Sequence, residues 1–177
     1  PGVAAAVILD PNRGPEGVND SKKLTAKRRE TLAVELFAVA HVSIAEASVA
    51  EIDQRGGGRA TYLAMERAIR GLPMPAAFAL IDGKYVPKGL PCPAEGMVKG
   101  DSRSASIAAA SIMAKTHRDA IMVALSQQFP AYAWQSNKGY GVAAHQLALN
   151  RYGVTPHHRR SFKPIHKILM VEIFITN

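Results

Sequence analysis

Short apolar runs alternate with longer helix-patterned segments along the whole chain, and this alternation restricts the fold more than any other feature. Residues 3–9, VAAAVIL, are continuously apolar and break at Asp10-Pro11, as a buried strand entering a turn would. Residues 10–24 read as loop. Thr25 is placed to cap a helix to about Ala40, with Leu32, Leu36, Phe37 and Val39 on its apolar face. Residues 41–49 have the β-branched content of a strand. Arg55 and Gly56, Gly57 and Gly58 suggest a flexible break before a second helix, RATYLAMERAIRGL, which stops at Gly71 and Pro73. Two further short runs, at 77–82 and 95–99, are expected to be strands. A long helix to Phe129 follows, then a loop with Trp134 and Tyr140, and a helix near 142–151. Strands alternating with helices predict an α/β layer fold.

The chain has 177 residues, enough for one domain with a real core, and we expect a single domain over 1–177 with 141–177 as a C-terminal helical and basic part. No stretch is long and apolar enough for a membrane span and no leader opens the sequence, so the expectation is a soluble, cytoplasmic monomer without membrane contact. The lone Cys92 leaves no partner for an internal disulfide and reads as a small apolar residue in a Pro-rich loop.

Charge points to a polyanionic partner. The net charge is +8, and between Asp119 and Glu172 no acidic residue occurs, while Lys138, Arg151, Arg159, Arg160, Lys163 and Lys167 fall there. A second basic cluster, Lys22, Lys23, Lys27, Arg28 and Arg29, sits near the start. Each run alone is consistent with a solvated face. Two of them in one small domain suit nucleic acid better.

Asp82 and Asp101 end successive predicted strands. In open α/β sheets functional groups collect beyond the carboxyl ends of strands, so these carboxylates converge if the strands are neighbours. Hard cations such as Mg2+ and Mn2+ take oxygen ligands, few of them from protein, and phosphate oxygens complete the shell. A plainer reading makes Asp82-Gly83 a turn and Asp101 a helix cap. His157 and His158 have no third residue spaced to complete a zinc site.

AAAVILDP, GVNDSKKLTAKRR, ATYLAMERAI, LIDGK, VKGDSRSASIAAASIMAKTHRDA, NKGYG and HHRRSF follow one another in an order and spacing that resemble ribonuclease HII, the type 2 ribonuclease H family. The resemblance spans almost the whole chain. It implies a ribonuclease H-like mixed sheet flanked by helices, with a C-terminal helical segment. It also implies cleavage of the RNA strand of RNA/DNA hybrids, and cleavage at ribonucleotides embedded in a DNA duplex. The implied chemistry uses four carboxylates and two Mg2+ or Mn2+ ions, giving 5′-phosphate and 3′-hydroxyl ends. By the same resemblance Asp82 and Asp101 are metal ligands, and Asp119 matches a further acidic position. Tyr140 matches a residue that packs on the sugar at the junction of ribonucleotide and DNA. Ser21, Lys22 and Lys23 match positions near DNA phosphates, and Arg159, Arg160 and Ser161 would add backbone contacts.

The family pattern opens with an Asp-Glu strand and a Gly-Arg-Gly loop, and neither has a counterpart in residues 1–177; NRGP at 12–15 lies on the wrong side of the first strand. We therefore expect an incomplete sequence with little activity by itself. The competing expectation is a hybrid-binding protein that lost two metal ligands. A phosphate-binding metabolic enzyme fits poorly, because the Gly-rich stretch does not open a helix after a strand as the dinucleotide fingerprint requires.

Overall fold

The alternating side chains of the first strand have two different destinations, and the architecture follows from that. Residues 1–10, 12–18 and 21–175 are described by the structure, a computed structural model; Pro11, Asn19 and Asp20 of the 10–24 segment, and Thr176 and Asn177, lie outside the described residues. Strand β1 (Gly2–Ile8) pairs antiparallel with β2 (His41–Ala47), Ala4 opposite Ala45 and Ala5 opposite Ile44. On one face Ala4, Ala6, Ala45 and Ala47 meet Ile52 and the small residues Ala60, Ala64 and Ala68. On the other, Ala5, Val7, Val42 and Ile44 meet Leu32, Leu36, Ala109, Ile112 and Met113. A period of two, both faces apolar, is what a strand buried between helix layers requires.

The helices sit as those two faces dictate. Helix α1 (Ala26–Val39) begins at Thr25, whose hydroxyl accepts from the Arg28 N–H. Helix α3 (Gly57–Arg70) presents Ala60, Ala64 and Ala68 at a spacing of four, a stripe small enough to lie close against β1. The long α4 (Ala105–Gln128) covers the opposite face. A third cluster, Met122, Tyr132, Trp134, Leu149 and Ile165, joins the end of α4 to α5 (Trp134–Asn137), α6 (Ala143–Tyr152) and α7 (Lys163–Ile175).

Two expectations shift and a third is met. The strand expected over 41–49 stops at Ala47, because Ser48 and Glu51 form a capping box that opens α2 (Val49–Arg55). The three glycines are not a flexible break: Gly56, at φ +81°, ends α2 and starts α3, and Gly57 and Gly58 lie inside the first turn of α3. Strands β3 (Ala79–Asp82) and β4 (Ala94–Met97) pair in parallel, Asp82 opposite Met97, so the two strand ends do lie side by side.

Both strand senses occur, yet the described strands form two separate two-stranded ladders. Between them runs a cleft of about 380 Å³, lined on one side by residues 3–9 and on the other by residues 78–82, with Thr61, Met65, Ile107 and Ala110 against it. No described helix is long and apolar enough to cross a membrane.

Candidate active site

The turn after β4 settles what Asp101 does locally. Lys99 turns the chain in the left-handed region at φ 55°, and residues 100–102 form a 3-10 turn. The Gly100 N–H donates to Asp82 Oδ1 at 3.0 Å, tying the end of β3 to the residue beside Asp101. Gly100 lets the turn approach closely: a Cβ there would stand 2.5 Å from Ile107 Cδ1, which would have to move, and 3.3 Å from Asp82 Oδ1. The helix cap is Ser104, whose hydroxyl accepts the Ile107 N–H, so α4 does not need Asp101 for that purpose. The Asp101 side chain is 11% exposed, and Lys22 Nζ lies 3.8 Å from its Oδ2. Asp82 and Asp101 therefore share one turn.

Asp119 lies 18 residues beyond Asp101, within α4, and is more strongly compensated. Lys115 Nζ donates to its Oδ1 at 2.7 Å and Arg29 approaches its Oδ2 at 3.5 Å. The same Arg29 donates to the carbonyls of Ser21 and Leu24. Lys115 also reaches the Tyr140 hydroxyl at 3.4 Å. One chain of contacts thus runs from the Ser21 turn through Arg29, Asp119 and Lys115 to Tyr140.

Tyr140 is 56% exposed, and Lys115 and Arg118 stand 5.2 and 5.5 Å from its ring centre. Its loop is held by bonds between side chains and backbone: Arg118 donates to the Lys138 carbonyl at 2.7 Å, and the Gly139 N–H to Asn137 Oδ1 at 2.8 Å. Lys138 and Gly139 both have positive φ, 50° and 80°, which turns the chain sharply before Tyr140.

The remaining expected contacts divide. Lys22 and Lys23 are exposed on the 3-10 turn at 21–23, whereas Ser21 is buried beneath it. Arg159 and Arg160 are exposed, with the Arg159 guanidinium over Phe162 at 5.0 Å. The Ser161 hydroxyl is engaged within the protein, donating to Asp53 Oδ1 at 2.6 Å, and the Ser161 and Arg160 amides donate to the same carboxylate at 2.9 Å. Burial works to raise the Asp53 pKa, but these bonds and the Arg159 charge outweigh it and hold the carboxyl below its ordinary value.

Residues that the sequence did not single out complete the site: Lys115, Arg118, Asp53 and His145. Ser48-x-x-Glu51 was the readable signal for α2, and hence for Asp53. Lys115 stands four residues before Asp119, a helix spacing the sequence does show, whereas the Lys138 carbonyl that Arg118 reaches and the His158 and Trp134 partners of His145 lie 11 to 20 residues away.

The donors at the Asp82–Asp101 turn are carboxylate oxygens, the type a Mg2+ or Mn2+ ion takes, and one or two protein carboxylates suffice where substrate phosphate and water complete the octahedron. Among the described residues no three His, Cys, Asp or Glu side chains converge to form a closed metal cage. That is the open, partial kind of donor set to which a phosphate-bound ion would add.

Comparison with solved structures defines the class first. The chain superposes on the ribonuclease H2 of Pyrococcus horikoshii with a TM-score of 0.77 at 24% identity, covering 100% of this chain and 94% of that one. A ribonuclease HIII solved with Mn2+ gives a TM-score of 0.71 at 18% identity over 96% of this chain and 64% of the other. The fold is thus that of the ribonuclease H2 and HIII proteins. The family model for ribonuclease HII matches residues 1–165. Ribonuclease HII of Ruegeria pomeroyi is 62% identical over 172 residues, which is 97% of this chain and 74% of that protein. The chain belongs to the ribonuclease HII family, divalent-metal-dependent ribonucleases that cut the RNA strand of RNA/DNA hybrids.

Proposed function

We propose that the chain forms most of an endonuclease that hydrolyses the phosphodiester at ribonucleotides, both in RNA/DNA hybrids and singly embedded in DNA, leaving 5′-phosphate and 3′-hydroxyl ends. The observation that supports this most directly is the Asp82–Gly100 hydrogen bond, which sets Asp101 at the mouth of a strand-end turn while Ser104 takes over the capping. Asp101 and Asp82 are the proposed ligands of Mg2+ or Mn2+, with Asp119 as a further acidic group along α4. When bound, two such ions activate a water on one side of the phosphorus and stabilise the leaving oxygen on the other.

The protein's own part is positioning. Asp82 orients the turn, since one of its oxygens is committed to Gly100. Lys22 offsets the charge of Asp101. Lys115 and Arg29 pair with Asp119 and tie α4 to the basic turn at 21–23. The exposed ring of Tyr140, flanked by two cations, offers an apolar face to a sugar with phosphates on either side. Lys22, Lys23, Arg159 and Arg160 supply duplex-backbone charge, which positions nucleic acid without reading sequence. Ser21 and Ser161 shape the turns that present those charges.

The test is Mn2+-dependent cleavage of a DNA duplex with one ribonucleotide. It uses the chain with an Asp-Glu strand placed ahead of Pro1, supplying the two acidic family positions that residues 1–177 do not contain. Asp101→Asn should lower the rate by more than about a hundredfold, beyond what changes behind a ligand typically cost. Equal rates would remove Asp101 from the metal site.

A further inference from the structure

Behind the Tyr140 loop lies a polar network sealed in the aromatic cluster, and its hydrogen bonds point in one direction. His145 and His158 are 5% and 7% exposed. The Thr155 N–H donates to His158 Nδ1 at 3.1 Å, which places the His158 proton on Nε2. That proton faces His145 Nε2 at 3.1 Å. The Trp134 Nε1–H also points to His145 Nε2, at 3.3 Å, and an indole N–H can only donate. His145 must then carry its proton on Nδ1. That nitrogen lies 3.0 Å from the Tyr140 carbonyl oxygen, which can only accept. Both ends of His145 independently demand the same tautomer.

We propose that His145, with its tautomer fixed by Trp134 and His158, is a positioning residue for Tyr140 and so sets the preference of the protein for duplexes that contain a ribonucleotide. This rests on the reading of Tyr140 as the residue that meets the junction sugar. His145 touches no substrate in this scheme. It acts on the backbone carbonyl of Tyr140, which also accepts from the Val142 N–H at 2.9 Å, while the half-exposed ring is met by the long, flexible side chains of Lys115 and Arg118. Buried networks in which every member is satisfied are the kind that specify one arrangement. Burial also drives the His158 pKa down to about 4, with the charges of His145 and His157 adding to the shift, which favours the neutral His158 that the bond from the Thr155 N–H requires.

The geometry supplies its own discriminating substitutions. The asparagine amide nitrogen stands near the place of Nδ1, so His145→Asn keeps a donor for the Tyr140 carbonyl while giving up the Nε2 acceptor. The glutamine terminus stands near Nε2, so His145→Gln keeps that end and gives up the donor. A packing role would penalise both alike. The measured quantity is the affinity of the full chain for a duplex with one ribonucleotide divided by its affinity for the all-DNA duplex at the same salt. We expect His145→Asn to keep the parent ratio within about twofold, and His145→Gln to lower it about three- to tenfold, the range of one hydrogen bond. Tyr140→Ala serves as the reference. If Tyr140→Ala keeps the parent preference, the Tyr140 reading falls and this proposal with it. If Tyr140→Ala loses the preference and His145→Gln keeps it, this proposal alone falls. Should His145→Gln fail to fold, the tautomers of the unaltered protein decide: nitrogen-15 spectra must show Nδ1–H on His145 and Nε2–H on His158, and the opposite pattern overturns the assignment.

Discussion

The carboxylate turn and the Tyr140 loop lie at different places along α4 and are held by different means. At the turn, backbone does the holding: a left-handed Lys99, a Gly100 packed close against Ile107 and one amide bond to Asp82 fix where Asp101 goes. At the loop, side chains from far along the chain do it: Arg118 on one carbonyl and the His145–His158 pair on the next but one. The groups proposed to hold metal are thus fixed by covalent geometry over a few residues. The residue proposed to meet the ribonucleotide sugar is fixed through packing, which a single substitution can loosen. The two regions should therefore fail differently.

The sharpest way to break this comparison is to separate capping from ligation at the turn. Asp101→Asn should abolish Mn2+ binding, read by calorimetry on the unmodified chain length, while leaving the melting temperature almost unchanged, because Ser104 is the cap. Ser104→Ala should do the reverse, lowering stability by about 1 kcal/mol with Mn2+ affinity preserved. If Ser104→Ala weakens Mn2+ binding as much as Asp101→Asn does, the turn is not held by its backbone and the contrast with the Tyr140 loop disappears.

Asp82→Asn should have an intermediate effect. Asparagine retains an oxygen that can accept from Gly100, so the turn keeps its shape, but the charge is gone. Mn2+ affinity should drop by about 10- to 100-fold, as expected for a residue that both orients and helps bind. A loss equal to that of Asp101→Asn would make Asp82 a ligand first and an orienting residue second.

The same contrast governs how much was legible in the sequence. Asp82 and Asp101 were readable because strand ends and turn glycines are local signals, and the parallel pairing of β3 with β4 brought them together as the pattern implied. The alternating apolar faces of β1 were readable for the same reason. Helix α2 was missed although Ser48 and Glu51 announced it, because β-branched residues just before drew the strand too far. His145 was opaque: its five-residue separation from Tyr140 says nothing until α6 folds back, and its tautomer depends on His158 and Trp134, 13 and 11 residues away. The two-ladder arrangement was equally hidden, since the cleft at residues 3–9 and 78–82 depends on how α3 and α4 space the strands.

Acid should take the Tyr140 loop and the Arg160–Ser161 turn apart in separate steps, and this is the smallest effect expected. His158 is a histidine with a depressed folded value, about 4 against an ordinary 6.5, so its contribution is complete above 6.5 and is lost as pH falls from there toward 4. The groups facing it are His145 and His157, the rings of Tyr132 and Trp134, and Thr155, with Arg118 and Arg159 lining the same cavity and opposing a further positive charge. Asp53 is also depressed, but from 3.8, so its hold on the Arg160 and Ser161 amides is complete above 3.8 and lost only below. Amide exchange followed against pH should therefore show Tyr140 and its neighbours losing protection first, between about 6.5 and 4, and Arg160 and Ser161 losing it later. Simultaneous loss at both places would mean that the histidine pair is not what keeps the Tyr140 loop in place.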